Sequence, residues 1–351
     1  MGSTWACTAS EAIPEYRHRL WFYVPRALKW LAIGVVVLLA AGFAFQRIST
    51  AADEENYPPR GQLYTVNNRQ MHILCAGEGS PAVILEAGGA ADSLWWYWVQ
   101  QQLAEHTRVC AYDRAGHGWS ESASGSRDPQ AIASDLQDLL AAAGVLPPYV
   151  MAGHSFGAVW ARIYAAQHSS DVVGLVLVDS TVLAPEGFAN QNEFLQWRSS
   201  NDALKAIERA AYEFGAIRAT AAGDFERAGY PADRVPEMVA LRSRVSVFEA
   251  DYAEQVAAGW EMRVASAAAE NLGNLPIIVL WASETNTLME TVPALREPHD
   301  EISTYSSNSV TRIVDGANHG SILGSEQYAR QVSDALLDMI EAVETGEPLA
   351  P

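Results

Sequence analysis

Lysine and arginine are in short supply. The chain has 23 of them against 42 aspartates and glutamates, a formal net charge of −19 at pH 7. That balance excludes a nucleic-acid partner, because a phosphate backbone needs a basic face. Cysteine is scarcer still. Cys7, Cys75 and Cys110 lie far apart and without paired histidines at metal-ligand spacing, so no metal cofactor is implied. Internal repeats and low-complexity tracts are absent too. Apolar residues are plentiful at 49% of 351, enough for one large α/β domain with an insertion or for two smaller domains.

Charge is missing altogether from one run, Trp30 to Phe45, preceded by Arg17, Arg19, Arg26 and Lys29. Its sixteen residues give roughly 24 Å of helix, and Ala27, Leu28 and a snorkelling Lys29 extend it towards the ~30 Å of a bilayer core. A signal anchor over 27–46 is predicted, after a cytoplasmic leader at 1–26. The alternatives are a secretory signal cleaved near Ser49-Thr50-Ala51 and a buried core helix. Positive charge before the run and Asp53, Glu54 and Glu55 after it orient the N-terminus to the cytoplasm and the large domain outside. Residues 47–61 read as a linker.

From Gln62 two short strands flank Asn67-Asn68, which predicts a hairpin. AVILEAGG, RVCAY, the run before Gly153 and VVGLVLV then alternate with helical stretches. One of these opens on Asp128 as N-cap with Pro129 at its first position. This alternation predicts an α/β fold with a mainly parallel sheet and helices on both faces. Strand signal disappears between Ser180 and Leu275, where a helical cap over 181–275 is expected. The core, 62–180, resumes at 276–343, and a disordered tail is expected over 344–351.

Gly153-His154-Ser155-Phe156-Gly157 follows a strand-like run and precedes an amphipathic helix. This G-x-S-x-G pattern places a serine on a sharp strand-to-helix turn whose flanking positions have no room for side chains. Ser155 is the candidate nucleophile. A serine hydroxyl attacks poorly near neutral pH, so it needs a histidine base, an orienting acid and amide donors for the oxyanion.

Together with this turn, Glu86-Ala87-Gly88-Gly89, AYDRAGHGWS (111–120), GLVLVDS (174–180) and GANHGS (316–321) give a chain that resembles the α/β-hydrolase superfamily from about Gln62 to Val343. It is most similar to serine-nucleophile esterases and aminopeptidase-like members with helical caps. The resemblance implies an eight-stranded sheet with His319 as base. It also implies an oxyanion hole made by the backbone N–H groups of Phe156 and Gly89, although the His-Gly often found in that loop is Ala87-Gly88 here. The W-G-x-x-D-like segment that often supplies the acid reads Trp281-Ala282-Ser283-Glu284, which lacks the aspartate. Asp179, at a strand end where some branches carry their acid, is the first candidate, with Glu284 as the alternative. Asp113 and Arg114 are expected to tie loop backbone and neighbouring charges together. His117 and His154 read as loop packing, with lining of the pocket as the alternative. Trp95, Trp96 and Trp98 either line the pocket or pack a helix. The family's strand order makes the Cys75 and Cys110 strands neighbours, so these two form a cross-strand disulfide or remain two buried thiols.

The function this implies is a membrane-anchored serine hydrolase that cleaves a carboxylic ester or related acyl compound without a cofactor. Its partners would be a small-molecule acyl substrate and, through the N-terminal helix, a membrane. An aminopeptidase or amidase of the same fold is the first alternative, and a non-catalytic binding protein the second.

Overall fold

The computed structural model describes residues 13–180, 202–257, 263–284 and 299–350. Its eight strands are β1 Gln62–Val66, β2 Arg69–Ala76, β3 Ala82–Glu86, β4 Val109–Tyr112, β5 Tyr149–His154, β6 Val172–Val178, β7 Ile277–Ala282 and β8 Ser309–Val314. They form one sheet in the order β1-β2-β4-β3-β5-β6-β7-β8. β2 pairs antiparallel with both β1 and β4, and every later pairing is parallel. The hairpin turns on Asn67 and Asn68, both at positive φ, as a tight turn matched to strand twist requires.

β3, β4, β5 and β7 are buried along their whole length, which explains their near-continuous apolar sequence. Alternate residues serve opposite faces. Ile84 and Met151 pack with Leu136 and Leu139 of α3 (Pro129–Ala142) and with Ala161 and Tyr164 of α4 (Phe156–Gln167). Val83, Leu85 and Val150 meet Val99 and Leu103 of α2 (Tyr97–Leu103), together with Leu336 of the C-terminal helix. The Asp128 carboxylate accepts the Ala131 N–H at 2.8 Å and caps α3. Cys75 and Cys110 face each other in the β2–β4 register with Cα atoms 4.0 Å apart, and they are disulfide-bonded.

Among the described residues, five helices lie between β6 and β7: α5 Asp202–Glu213, α6 Ala216–Ala228, α7 Val235–Arg242, α8 Val245–Ala257 and α9 Arg263–Ala268. Part of the expected cap, residues 181–201 and 258–262, lies outside the description, as do residues 285–298.

Two boundaries differ from expectation. The N-terminal helix α1 runs unbroken from Ile13 to Asn56, through the second half of the leader and most of the linker. Residues 51–55 contain no helix breaker, and Pro58-Pro59 provides the stop. The end of α1 is also held by the cap: Gln46 donates to Ser243 O at 2.8 Å, and Asp53 pairs with Arg218 at 2.7 Å. Arg26–Asn56 is long and apolar enough to cross a membrane by length and composition. At the other end, the last long helix, α12, extends over Glu326–Thr345 (the short helices α10, His299–Ile302, and α11, Ser321–Gly324, precede it). The tail then folds back: Leu349 is buried against the core and Arg312 donates to Ala350 O at 2.8 Å. One apolar side chain and one backbone carbonyl with a partner are enough to order a segment whose composition reads as disordered.

Candidate functional site

β5 ends at His154, and the chain reverses into α4 through Ser155, whose φ of 54° and ψ of −124° are strained for a non-glycine residue. The flanking glycines explain how so tight a bend closes. A Cβ on Gly157 would come under 3.0 Å from the carbonyl oxygens of Glu86 and Ala87, and one on Gly153 would strike Gly157 O and Ala158. Backbone atoms of a buried sheet cannot yield that space.

The structure brings Asp179 and His319 together. Asp179 follows β6, also at positive φ, and its Oδ2 lies 2.5 Å from His319 Nδ1 while Oδ1 accepts the Ala282 N–H at 3.1 Å. Asp179 is fully buried. Burial pushes its carboxyl up, but the hydrogen bond and charge of His319, with the Ala282 amide, hold it below the usual carboxylate range. Glu284, by contrast, is exposed, and its backbone N–H donates to Ala317 O at 2.8 Å.

His154 does more than pack. Its ring lies 4.6 Å from the His319 ring, and its Nε2 is 3.0 Å from the His319 carbonyl oxygen. A carbonyl only accepts, so the proton sits on Nε2. Burial, reinforced by the neighbouring His319, takes its pKa down to about 3, so His154 stays neutral and serves as a fixed strut between the Ser155 turn and the His319 loop. The variable position of a G-x-S-x-G turn gives no signal for this role, because the partner is a backbone atom 165 residues away.

Gly88 and Gly89 pass directly over Ser155. A Cβ on Gly88 would lie 3.2 Å from Ser155 Cβ, and one on Gly89 would lie 3.6 Å from the Phe156 ring. Phe156 opens α4, where amides have no intrahelical acceptor. Below this loop Arg114 is buried and fully engaged. It donates to Ala87 O at 2.6 Å, Gly88 O at 2.7 Å and Glu86 Oε1 at 2.6 Å, and its Nε reaches Glu254 of the cap at 3.0 Å. Glu86 also accepts the Tyr112 hydroxyl. Burial pushes the Glu254 carboxyl up, yet Arg114 and His117 hold it well below the ordinary range. Asp113 collects the N–H groups of Ser93 at 2.7 Å and Trp119 at 2.9 Å, with His72 Nδ1 at 2.8 Å.

Asp92, just past the Gly88-Gly89 loop, caps the next turn by accepting the Leu94 N–H at 3.0 Å. Burial and the charge of Asp113 push its carboxyl up to about 8. A carboxyl raised on folding holds its proton more tightly in the folded state, so its stabilisation is complete below the ordinary aspartate pKa of about 3.9 and disappears as pH rises through about 8. Asp92→Asn keeps the Leu94 acceptor and removes the proton. Thermal unfolding between pH 5 and 8.5 should therefore show the native protein losing stability relative to this variant, on the order of a few kcal/mol at the alkaline end. Parallel curves would refute the assignment.

Of the three tryptophans, Trp95 lines a cavity of about 560 Å³ under the cap. Trp96 is fully buried in the core, and Trp98 donates to Gly324 O at 2.9 Å. Asn318 and Gly320, on either side of His319, also border the cavity. Among the described residues no His, Cys, Asp and Glu cluster could hold a metal ion.

A sheet of this order, with a strained serine turn after the fifth strand and a histidine loop after the eighth, defines a class. The family described as alpha/beta hydrolase fold matches residues 81–290, and the chain belongs to it. It is 33% identical over 126 residues to an N-formylmaleamate deformylase of Pseudomonas putida, covering 36% of this chain and 47% of that protein. It is 32% identical over 119 residues to the uncharacterized protein YqjL of Bacillus subtilis, covering 34% and 47%. The chain thus spans less than half the length of these relatives. Among solved structures, the epoxide hydrolase CorEH superposes with a TM-score of 0.63 at 20% identity, covering 80% of this chain and 98% of that one. A Thermogutta terrifontis esterase with malate bound gives 0.59 at 19% identity, covering 81% and 99%.

Proposed function

We propose that this protein is a serine hydrolase that cleaves a carboxylic ester or related acyl substrate through an acyl-enzyme, and that its N-terminal helix anchors it in a membrane with the hydrolase domain outside the cytoplasm. The observation that carries the reading is the fixed base loop. His319 is bound through Nδ1 to buried Asp179 and through its carbonyl to His154, the residue before Ser155. In this reading Ser155 Oγ attacks the acyl carbon and His319 Nε2 accepts its proton. Asp179 holds the imidazole in the matching tautomer and stabilises its charge. The N–H groups of Gly89 and Phe156 receive the oxyanion. His319 then returns the proton to the leaving group, and water, activated by the same imidazole, releases the acid. The disulfide suits a domain facing an oxidising compartment.

Ser155→Ala should abolish labelling by a fluorophosphonate probe and hydrolysis of a short-chain aryl ester while leaving the fold intact by circular dichroism. Labelling that persists in the variant would exclude Ser155 as nucleophile. The amine-recognising alternative has one point in its favour, since Asp251 of α8 stands beside the oxyanion loop with Oδ1 3.1 Å from where a Gly89 Cβ would be. Relative rates on amino-acyl and simple acyl substrates separate the two readings.

A further inference from the structure

The cavity beside His319 is mostly walled by apolar and aromatic groups, Phe225 and Tyr230 of the cap facing Trp95 edge-on at 5.6 and 6.2 Å. Of the three charged residues on its wall, Asp224 and Arg227 are exposed and paired with each other, and Arg242 stands apart from them. Arg242, the last residue of α7, lines the same cavity, with its guanidinium carbon 5.3 Å from the centre of the Tyr212 ring. A guanidinium keeps its charge under all working conditions and carries five N–H donors. Yet Arg242 has no ion pair within 4.0 Å among the described residues, and its Nη1 is buried without a hydrogen-bond partner.

Arg114, buried beneath the oxyanion loop, is differently placed, being saturated by two carboxylates and two carbonyls. The acids that act on Arg242 from a distance are Asp251, Asp92 and Glu208, and burial outweighs them, pushing the Arg242 pKa down. Asp92 holds its proton near neutral pH, and Asp251 is shared with Gln255 at 2.7 Å. A cation drawn partly out of water with an unused donor is costly. A carboxylate on a bound ligand would give it a charge-assisted, bidentate partner.

We propose that Arg242 is a carboxylate-binding subsite, and that the enzyme's substrates are esters or related acyl compounds bearing a free carboxylate on an arm that lies against Trp95, Phe225 and Tyr230. This rests on the serine-hydrolase reading above for the reaction, but not for the binding. Arg242 would act as a specificity residue: it touches the substrate's distant end and leaves the reacting carbonyl to Ser155.

The test uses the full-length protein in detergent and two pairs of substrates that differ in charge. One pair is p-nitrophenyl hemiglutarate against p-nitrophenyl pentanoate, with the carboxylate on the acyl side; the other is 3-acetoxybenzoate against phenyl acetate, with it on the leaving side. In at least one pair the native enzyme should favour the anionic member by roughly ten- to a hundredfold in kcat/KM, the range of a charge-assisted contact. In Arg242→Met that ratio should collapse, and in Arg242→Lys it should survive in part. Glutarate should raise the melting temperature of the native protein and protect Ser155 from fluorophosphonate, with both effects lost in Arg242→Met. If that variant does not fold, the Arg242→Lys ratio and native glutarate binding carry the test. Preference for the neutral member in both pairs, or a glutarate shift that persists in the folded Arg242→Met, overturns the subsite and leaves the hydrolase standing. Glutarate binding through Arg242 with no turnover and no labelling overturns the hydrolase and leaves the subsite. Absence of both glutarate binding and any anionic preference overturns it outright.

Discussion

Asp179→Asn is expected to lower kcat by roughly 10⁴ with little loss of fold, whereas Glu284→Gln should stay close to the native rate. The Asp179 side chain spans two contacts, accepting the Ala282 amide through Oδ1 and binding His319 Nδ1 through Oδ2. Asparagine retains its carbonyl oxygen for Ala282 and turns its NH₂ towards Nδ1. The imidazole must then carry its proton on Nε2, the nitrogen that has to receive the Ser155 proton, so the base is lost though its position is kept. Glu284, exposed at the mouth of the β7 loop, has no comparable hold on His319. Steady-state kinetics on an aryl ester, with circular dichroism as the folding control, decides between them. A full-rate Asp179→Asn enzyme would remove Asp179 from the mechanism.

The second large effect is expected at Arg114. Arg114→Met leaves Glu86 and Glu254 buried without their shared cation, and removing one partner from such a cluster costs about 3–5 kcal/mol; the melting temperature should fall steeply, and the protein should open at lower denaturant. Arg114→Lys is the more informative variant. One ammonium cannot reproduce a planar fork that reaches Glu86, Glu254 and the carbonyls of Ala87 and Gly88 together. With its carbonyls released, the loop that presents the Gly89 amide loses its preorganisation. A folded Arg114→Lys enzyme should therefore lose kcat by roughly tenfold to several hundredfold, up to the effect of deleting one oxyanion donor, with a smaller change in KM. Arg114 is a positioning residue on this account. Native kcat in a folded lysine variant would show that the cluster serves stability alone. Because Glu254 comes from the cap, the same cluster ties cap seating to the geometry of the loop over Ser155.

Periodicity and punctuation carried most of the architecture. The strand VVGLVLV is β6 to the residue, the Asp128-Pro129 helix start is where the cap and ring chemistry require it, and Asn67-Asn68 makes the hairpin. These are local effects: a side chain's fit to its own backbone, or an apolar stretch matched to a buried strand. The helix boundaries read least well, at Asn56 and at the C-terminal tail, are those where packing against distant residues (Arg218, Ser243, Arg312) extends the order that local propensity leaves undecided.

The site divides along the same line. Gly153, Gly157 and the strained Ser155 are legible in the sequence because the turn they form is closed within five residues, and its steric demand excludes other side chains at those two positions. Which carboxylate faces His319, what His154 holds and where Arg114 reaches are contacts between residues separated by 26 to 165 positions. Such contacts depend on strand order and on the seating of the cap over the sheet. The one-dimensional pattern states which groups are available, and only the packed chain decides which of them are close enough to exchange a proton or neutralise a charge.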